Sequence, residues 1–215
     1  NKTEANYLVQ FSNAKNILDK LEVLEFFAAQ KTQSAQAKGV FRDALKDNFW
    51  YIQEIALSLM NPDDMNASDF AMVANLAENG SKTSVQAEAL SLLGEAKRKE
   101  YESLYEKGVN AQSYAVNAAS LFALSKVNSK RALTVAETFE DIDNYDIIDE
   151  VGYVYSQEGD ASKAAYYQNV VNTNEEVYKK YYAIYHYSIF LGRMEKNTVL
   201  DGISFIENWG KTETK

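Results

Sequence analysis

The chain has 215 residues, of which 46% are hydrophobic and 25% are charged. This balance is typical of a protein with an apolar core and excludes disorder as the main state. The formal net charge of −9 gives no attraction to nucleic-acid phosphates or anionic lipids, so we expect no nucleic-acid partner. The chain has no cysteine, which excludes disulfides, thiolate nucleophiles and cysteine-based metal sites.

Glycine and proline are rare, with nine and one residues respectively, which predicts an almost wholly helical protein with few tight turns. No apolar run approaches the roughly 18 residues that a membrane-spanning helix needs, so we expect no membrane span. The first residues contain neither an initiator methionine nor a secretory leader. We therefore expect residues 1–215 to form a single helical-repeat domain cut from a longer protein. The sequence favours no cellular compartment.

Apolar residues recur at helical spacing along most of the chain, which predicts about a dozen short amphipathic helices. The series are Ile17, Leu21, Leu24 and Ala28; Ile52, Ile55, Ala56 and Leu59; Leu133, Ala136 and Phe139; Ile148, Val151 and Tyr155; Val177, Tyr181, Ile184, Ser188 and Leu191; and Val199, Ile203 and Ile206. No stretch alternates between apolar and polar residues for long enough to predict a strand.

Polar residues between these series are suited to cap helices, because their side chains accept hydrogen bonds from a first helical turn. The predicted caps are Asp47, Asn48, Asn66, Ser68, Ser81, Asn110, Ser129, Asn144, Asp160 and Asn174. Thr83 and Gln86 have the spacing of a capping box. Pro62 should end the preceding helix near Leu59, because proline donates no backbone hydrogen bond.

A weak internal repeat relates two parts of the chain at a constant offset of 64 residues. The matched positions are Phe41 and Tyr105, Leu45 and Val109, Trp50 and Tyr114, Ile52 and Val116, Ile55 and Ala119, Ala56 and Ser120, and Leu57 and Leu121. In each copy one helix ends, a polar link follows and a second helix begins. Because one helix pair cannot bury its apolar face alone, we predict an all-α, right-handed superhelix (solenoid) of antiparallel helix pairs, of HEAT or armadillo type.

The segment Val40–Leu57 resembles a HEAT-type repeat, except that Gln53 stands where that pattern prefers arginine. Within it, Ala44–Ile52 resembles the "AL-x-D-x-FW-x-[VI]" stretch in the C-terminal helical domain of bacterial aminopeptidase N-like zinc metallopeptidases. Ser113–Ala119 is similar to the following repeat of that domain. The resemblance extends roughly over residues 14–210, and its specific part is about 30 residues long.

The resemblance implies that this chain is the non-catalytic C-terminal domain of a zinc aminopeptidase, a hydrolase. In that family a separate domain with an H-E-x-x-H motif binds the zinc, and the single histidine here, His186, cannot supply such a motif. The implied partners are the catalytic domain of the same parent chain and, possibly, peptide substrates, whose access the helical domain would shape. We accordingly predict no catalytic, cofactor-binding or metal-binding residue in this chain, and zinc only in the implied parent.

Two other functions stay open at this point. One is an independent helical-repeat scaffold that binds a protein or a peptide in its groove. The other is an enzyme that uses only aspartate and glutamate, for which the sequence gives little support.

His186 lies about 180° from the apolar series of its predicted helix, at 100° per residue. We therefore expect its side chain to face solvent or a neighbouring helical layer, as a structural residue. The functional alternative is a polar contact with a partner domain.

The segment Glu140–Glu150 contains six acidic residues and no basic one. Such a cluster could bind a hard cation through oxygen ligands, but its spacing does not fit the calcium loop of an EF-hand. We interpret these residues as solvated carboxylates at the N-terminus of a helix, where the helix dipole favours negative charge.

Ten of the 15 tyrosines fall within one short part of the chain. They are Tyr145, Tyr153, Tyr155, Tyr166, Tyr167, Tyr178, Tyr181, Tyr182, Tyr185 and Tyr187. Tyrosine is common in interfaces because its ring is apolar and its hydroxyl is polar. The helix that contains Tyr182, Ile189 and Phe190 is apolar on more than one side, so it is either interior or docked on another domain; we favour the interior.

Overall fold

The structure is a computed structural model that describes residues 2–30 and 34–213. These residues form α-helices and short 3-10 turns, and no strand occurs among them. The helices are α1 (Glu4–Asn13), α2 (Ile17–Ala28), α3 (Ala35–Ala44), α4 (Trp50–Leu59), α5 (Ala67–Asn79), α6 (Thr83–Glu95), α7 (Glu102–Gly108), α8 (Tyr114–Val127), α9 (Ser129–Thr138), α10 (Tyr145–Glu158), α11 (Ala164–Thr173), α12 (Val177–Leu191) and α13 (Lys196–Glu213). The predicted all-α class is confirmed.

The chain packs as two compact units, Asn1–Tyr105 and Glu106–Lys215, with the division inside α7. That residues 1–215 form a single domain stays a prediction. No helix in the described parts of the chain is both long enough and apolar enough to cross a membrane.

In the first unit, α4 packs against α2, α3 and α6, and α5 packs against α6. The interior is almost entirely aliphatic and aromatic, which is the usual composition of a close-packed helical core. Its most buried side chains include Val23, Leu24, Phe27, Phe41, Ile52, Ala56, Val73, Val85, Ala89 and Leu93.

In the second unit, α10 packs between α8 and α12, α9 packs against α8 and α10, and α11 packs against α12. Helices α8, α10 and α12 thus lie side by side, with intervening helices of the chain packed against them. This is the arrangement expected of stacked helix pairs.

The internal repeat reappears as a repeated hydrogen bond. In the first copy, Gln53 Nε2 donates to the carbonyl oxygen of Asp47 at 2.8 Å. In the second copy, Asn117 Nδ2 donates to the carbonyl oxygen of Ala111 at 3.0 Å. Both the donors and the acceptors are 64 residues apart. Gln53, the departure from the HEAT pattern, therefore binds the link between the two helices of its own pair.

Several predicted helix boundaries are confirmed. Helix α4 ends at Leu59, before Pro62. Asn66 accepts from the backbone N–H groups of Ser68 and Asp69 at the start of α5, and Asn144 caps α10 in the same way.

Other boundary predictions are wrong in detail. Thr83 is the first residue of α6 and not its cap, and Gln86 donates to the carbonyl of Gly80 instead of forming a capping box. The side chains of Asn110 and Asn174 donate to carbonyl oxygens of the preceding helices. An amide can satisfy either end of a helix, so residue type alone does not decide which end it caps.

Candidate functional site

Helices α10 and α12 run parallel, because polar contacts join residues 36 or 37 positions apart along both of them. These contacts are Lys179 Nζ with Asp143 Oδ1 at 2.7 Å, His186 Nε2 with Asp149 Oδ1 at 2.6 Å, and Arg193 Nη1 with the carbonyl oxygen of Ser156 at 2.7 Å. The interface between these two helices is therefore lined by charged and polar groups from end to end.

One group of tyrosines is buried and belongs to the core. Tyr167 donates its hydroxyl to the carbonyl oxygen of Gly152 at 2.7 Å, and Tyr187 accepts from Gln168 Nε2 at 2.9 Å. The rings of Tyr167 and Tyr187 stack with their centroids 5.1 Å apart. Burial raises the pKa of the Tyr167 hydroxyl above its ordinary range. These tyrosines combine apolar packing with a satisfied polar tip, as predicted for the interior.

A second group is exposed and lies along one face of α12. Tyr178, Tyr181 and Tyr185 are 74%, 60% and 50% exposed. Val177 and Ile189 continue the same face at helical spacing and are also exposed. We call these five residues the α12 tyrosine face. Contiguous exposed apolar side chains of this size mark interaction surfaces in folded proteins.

The predicted apolar series of α12 is therefore wrong, because Val177 and Tyr181 were expected to be buried. The buried side chains of α12 are Lys179, Ala183, His186, Tyr187, Phe190 and Leu191. Apolar residues surround this helix, so their periodicity could not distinguish the face that packs from the face that is exposed. The preference for an interior helix is likewise only half right.

A row of rings crosses α8, α10 and α12 beside this face. The ring centroids of Phe122 and Tyr153 are 6.0 Å apart, those of Tyr153 and His186 are 6.1 Å apart, and those of His186 and Tyr185 are 5.1 Å apart. We call these four residues the aromatic row. The ammonium group of Lys126 lies 4.5 Å from the ring centres of both Phe122 and Tyr153 and donates to the Tyr153 hydroxyl.

His186 sits in the middle of this row and is 5% exposed. Its Nε2 atom pairs with Asp149, whereas its Nδ1 atom is buried and has no hydrogen-bond partner among the described residues. Gly152 permits this packing, because a Cβ atom there would lie 3.1 Å from His186 Cδ2. Of the two predicted environments for His186, the neighbouring helical layer is the right one and solvent is not.

Glu150 lies next to Asp149 on α10. Burial is the main cause that raises the pKa of its carboxyl group to about 8, the charge of Asp149 raises it further, and Lys126 opposes the shift. Its Oε2 atom is buried, and no hydrogen-bond partner for it lies in residues 2–30 or 34–213. Glu150 is therefore mostly neutral at pH 7, unlike an ordinary surface glutamate.

The acidic segment is more ordered than predicted. Glu140 pairs with Lys163 at 3.0 Å, and Asp143 pairs with Lys179 at 2.7 Å. The interpretation of this segment as solvated carboxylates is thus wrong for these two residues and for Asp149. Within the described ranges, no group of three or more histidine, aspartate or glutamate side chains is placed to hold a metal ion. That the chain has no catalytic, cofactor or metal residue stays a prediction.

Sequence reasoning identified His186 and the tyrosines but missed Lys126, Asp149, Glu150 and Tyr153 as members of one cluster. The usable signal was the spacing of 37 residues between Asp149 and His186. That spacing becomes informative only when α10 and α12 are known to be parallel neighbours.

No protein-family model matches the chain, and no curated protein matches it. Among solved structures, the chain is similar to the complex of CpcE and CpcF of phycocyanin lyase from Nostoc sp. PCC7120, with a TM-score of 0.65, 10% identity, and 97% of this chain and 95% of that chain covered. Human deoxyhypusine hydroxylase in complex with glycerol aligns over 97% of this chain and 96% of that chain, with 10% identity and a TM-score of 0.43.

The similarity to the lyase structure confirms the predicted HEAT-like helical-repeat fold. The predicted relationship to aminopeptidase N-like metallopeptidases is wrong, since the similar structure is a phycocyanin lyase and no peptidase family model matches. The implied hydrolase activity, the catalytic domain as a partner and the zinc of a parent enzyme lose their support with it. The motif in Ala44–Ile52 reflects how a helix pair turns, which unrelated helical repeats share.

The expectation that such a chain has no enzymatic role of its own is also corrected. The similar helical chain occurs in a complex that is named as a lyase. A fold of this type is therefore compatible with participation in an enzyme, and only side chains can decide the activity.

Proposed function

We propose that this chain is an independent helical-repeat scaffold that docks a protein partner on its second unit. The docking surface consists of the α12 tyrosine face and the adjacent aromatic row. The observation that carries this proposal is the exposure of Tyr178, Tyr181 and Tyr185, at 50% or more, along one side of a well-packed helix.

The physical reason is the difference between the two faces of α12. Tyr187 and Phe190 on the packed face are fully buried and hold the helix in the unit. Tyr178 and Tyr181 on the opposite face are largely exposed, so their rings contribute little to folding. A partner that covered these rings would remove apolar surface from water, and tyrosine is enriched at the centres of protein interfaces for this reason.

The comparison supports a protein as the occupant. The structure that aligns with 97% of this chain is a complex of two proteins, CpcE and CpcF. A partner of similar kind, itself a folded protein, is what we propose for this chain. The net charge of −9 argues against nucleic acid as the occupant of an aromatic surface.

The test begins with a photo-activated cross-linker in place of Tyr181, expressed in the source cells. A cross-linked protein is identified, purified and titrated against wild-type protein and Tyr181→Ser. We expect the dissociation constant to rise about tenfold or more, as for the loss of an interface tyrosine.

The matched control is Tyr51→Ser, since Tyr51 is also exposed, at 40%, but belongs to the first unit. Its dissociation constant should stay within about twofold of wild type. Equal weakening by both variants, or no weakening by Tyr181→Ser, would contradict the proposed docking surface.

A further inference from the structure

Two buried polar atoms without partners lie in the same cluster on neighbouring helices. They are His186 Nδ1 on α12 and Glu150 Oε2 on α10, and the described residues offer neither of them a hydrogen bond. Buried polar atoms in folded proteins are nearly always paired, so each unpaired atom indicates a group that is not part of the chain. Asp149 lies between them, adjacent to Glu150 in sequence and 2.6 Å from His186 Nε2.

The chemistry of these atoms specifies what they can bind. When His186 Nε2 donates its proton to Asp149, Nδ1 is an acceptor, and a carboxylate oxygen of Glu150 is an acceptor as well. A ligand that satisfies both must therefore supply several N–H or O–H donors. The carboxyl groups of Asp149 and Glu150 favour a positively charged donor.

The charges around the cluster come from three helices. Lys126 faces it from α8, Asp146 and Asp149 face it from α10, and His186 faces it from α12. The ammonium of Lys126 is held against the Phe122 and Tyr153 rings and donates to the Tyr153 hydroxyl. Acidic groups thus outnumber the single lysine, and that lysine already has its contacts.

We propose that Asp149, Glu150 and His186 receive the guanidinium group of an arginine side chain that belongs to the docked protein partner. A guanidinium presents five N–H donors in one plane, which suits several acceptors at once, and it stacks on aromatic rings such as those of Tyr153 and Tyr185. An ammonium group lacks both properties. This inference rests on the proposed function, because the arginine is carried by the partner that covers the α12 tyrosine face.

Binding of a cation here has a second consequence. Because burial raises the pKa of Glu150 to about 8, its carboxyl group is mostly protonated near pH 7. A guanidinium beside it favours the ionised form, so binding at this pH should release a proton to the buffer.

The test uses the full chain, labelled with ¹³C and ¹⁵N, and the peptide acetyl-Gly-Arg-Gly-amide. The control peptide has citrulline in place of arginine, which keeps the shape of the side chain and removes its charge. We expect the arginine peptide, at about 10 mM, to shift the carboxyl resonance of Glu150 and the ring nitrogens of His186, and to bind about tenfold more tightly than the citrulline peptide. Calorimetry in two buffers of different ionisation enthalpy should show proton release at pH 7.

Variants separate the cluster from the general acidity of the chain. Glu150→Gln should remove most of the preference for arginine over citrulline and abolish the proton release. Glu158→Gln, an exposed position on the same helix, should leave both unchanged. Thermal unfolding of each variant establishes that it is folded. No shift at Glu150 and His186, or equal binding of the two peptides, would overturn the proposal, and the two unpaired atoms would then be hydrated by water.

The two proposals fail in different ways. If the purified partner requires Tyr181 but binds Glu150→Gln as it binds the wild type, the docking surface stands and the arginine site is wrong. If the peptide binds at Glu150 and the partner ignores Tyr181, the cation site stands by itself, the docking surface is wrong and the assignment of the arginine to the partner is overturned.

Discussion

The neighbouring helices α4 and α6 in the first unit and α10 and α12 in the second show two ways to build the same contact. Between α4 and α6, the buried side chains are apolar, and Ile52, Ala56, Val85 and Ala89 have no exposure at all. Their polar contact, from the Ser84 hydroxyl to Glu54, is only partly buried. This interface gains its stability from close packing of aliphatic groups.

Between α10 and α12, carboxylates, a histidine and a lysine occupy the corresponding space. The buried ammonium of Lys179 is balanced by Asp143 and Glu176, each at 2.7 Å. His186 is balanced by Asp149 on one nitrogen only. Buried charge is seldom the most stable solution for a helix interface, since desolvation offsets much of the attraction. The apolar pair shows that this fold does not require a polar layer, so the polar layer indicates a function.

The largest expected effect breaks the apolar side of this comparison. Ile52→Ala should lower the free energy of unfolding by about 2–5 kcal/mol, because it leaves a cavity in a fully packed site. Urea denaturation at pH 5 and at pH 9 should give the same loss, since the α4 side chain carries no charge. A loss below about 1 kcal/mol would mean that this interface rearranges freely and is not the rigid counterpart of α10 and α12.

The next effect sharpens the polar side of the comparison through pH. The folded state holds the proton on Glu150 up to a pKa of about 8, above the model value of 4.5, so it binds more protons than the unfolded state between these two pH values. Stability of the wild type therefore falls as the pH rises through this window.

Glu150→Gln carries no such proton, so its stability relative to wild type should increase across the same window. The difference should be small near pH 4 and reach a few kcal/mol near pH 9. Urea denaturation of both proteins at intermediate pH values measures the difference. Glu158→Gln provides the control, and a pH-independent difference for Glu150→Gln would show that the buried carboxyl group is already ionised.

The comparison also explains how far the sequence could be read. Helix positions, the end of α4 at Leu59 and the hydrogen bonds of Gln53 and Asn117 follow from local spacing, and these predictions are close to the structure. The face of α12 that packs does not follow from local spacing. Tyr181 and Tyr187 are equally apolar in sequence, yet one is 60% exposed and the other is fully buried.

Only the position of α10 distinguishes these two tyrosines, and that position is a tertiary fact. The same reason hid the cluster around His186, because its partners come from residues 27 to 64 positions earlier in the chain. The motif in Ala44–Ile52 misled in the opposite direction. It describes a turn between two helices accurately, and for that reason it carries no information about the protein family or its chemistry.

The smallest effect concerns the pair at the centre of the polar interface. His186→Ala and Asp149→Ala each remove one partner of the contact at 2.6 Å. A double-mutant cycle should give a coupling energy of about 1–2 kcal/mol at pH 7, since the contact is a short hydrogen bond between groups that are shielded from water. Chemical denaturation of the four proteins measures it.

A coupling energy near zero would mean that the two side chains are adjacent without stabilising each other, and the polar layer would then be held by Lys179 and its carboxylates alone. A coupling of the expected size has the opposite meaning. It fixes the His186 ring with Nε2 toward Asp149, and this orientation leaves Nδ1 free to accept a hydrogen bond from outside the chain. The stability of one side of the ring thus determines what the other side can bind.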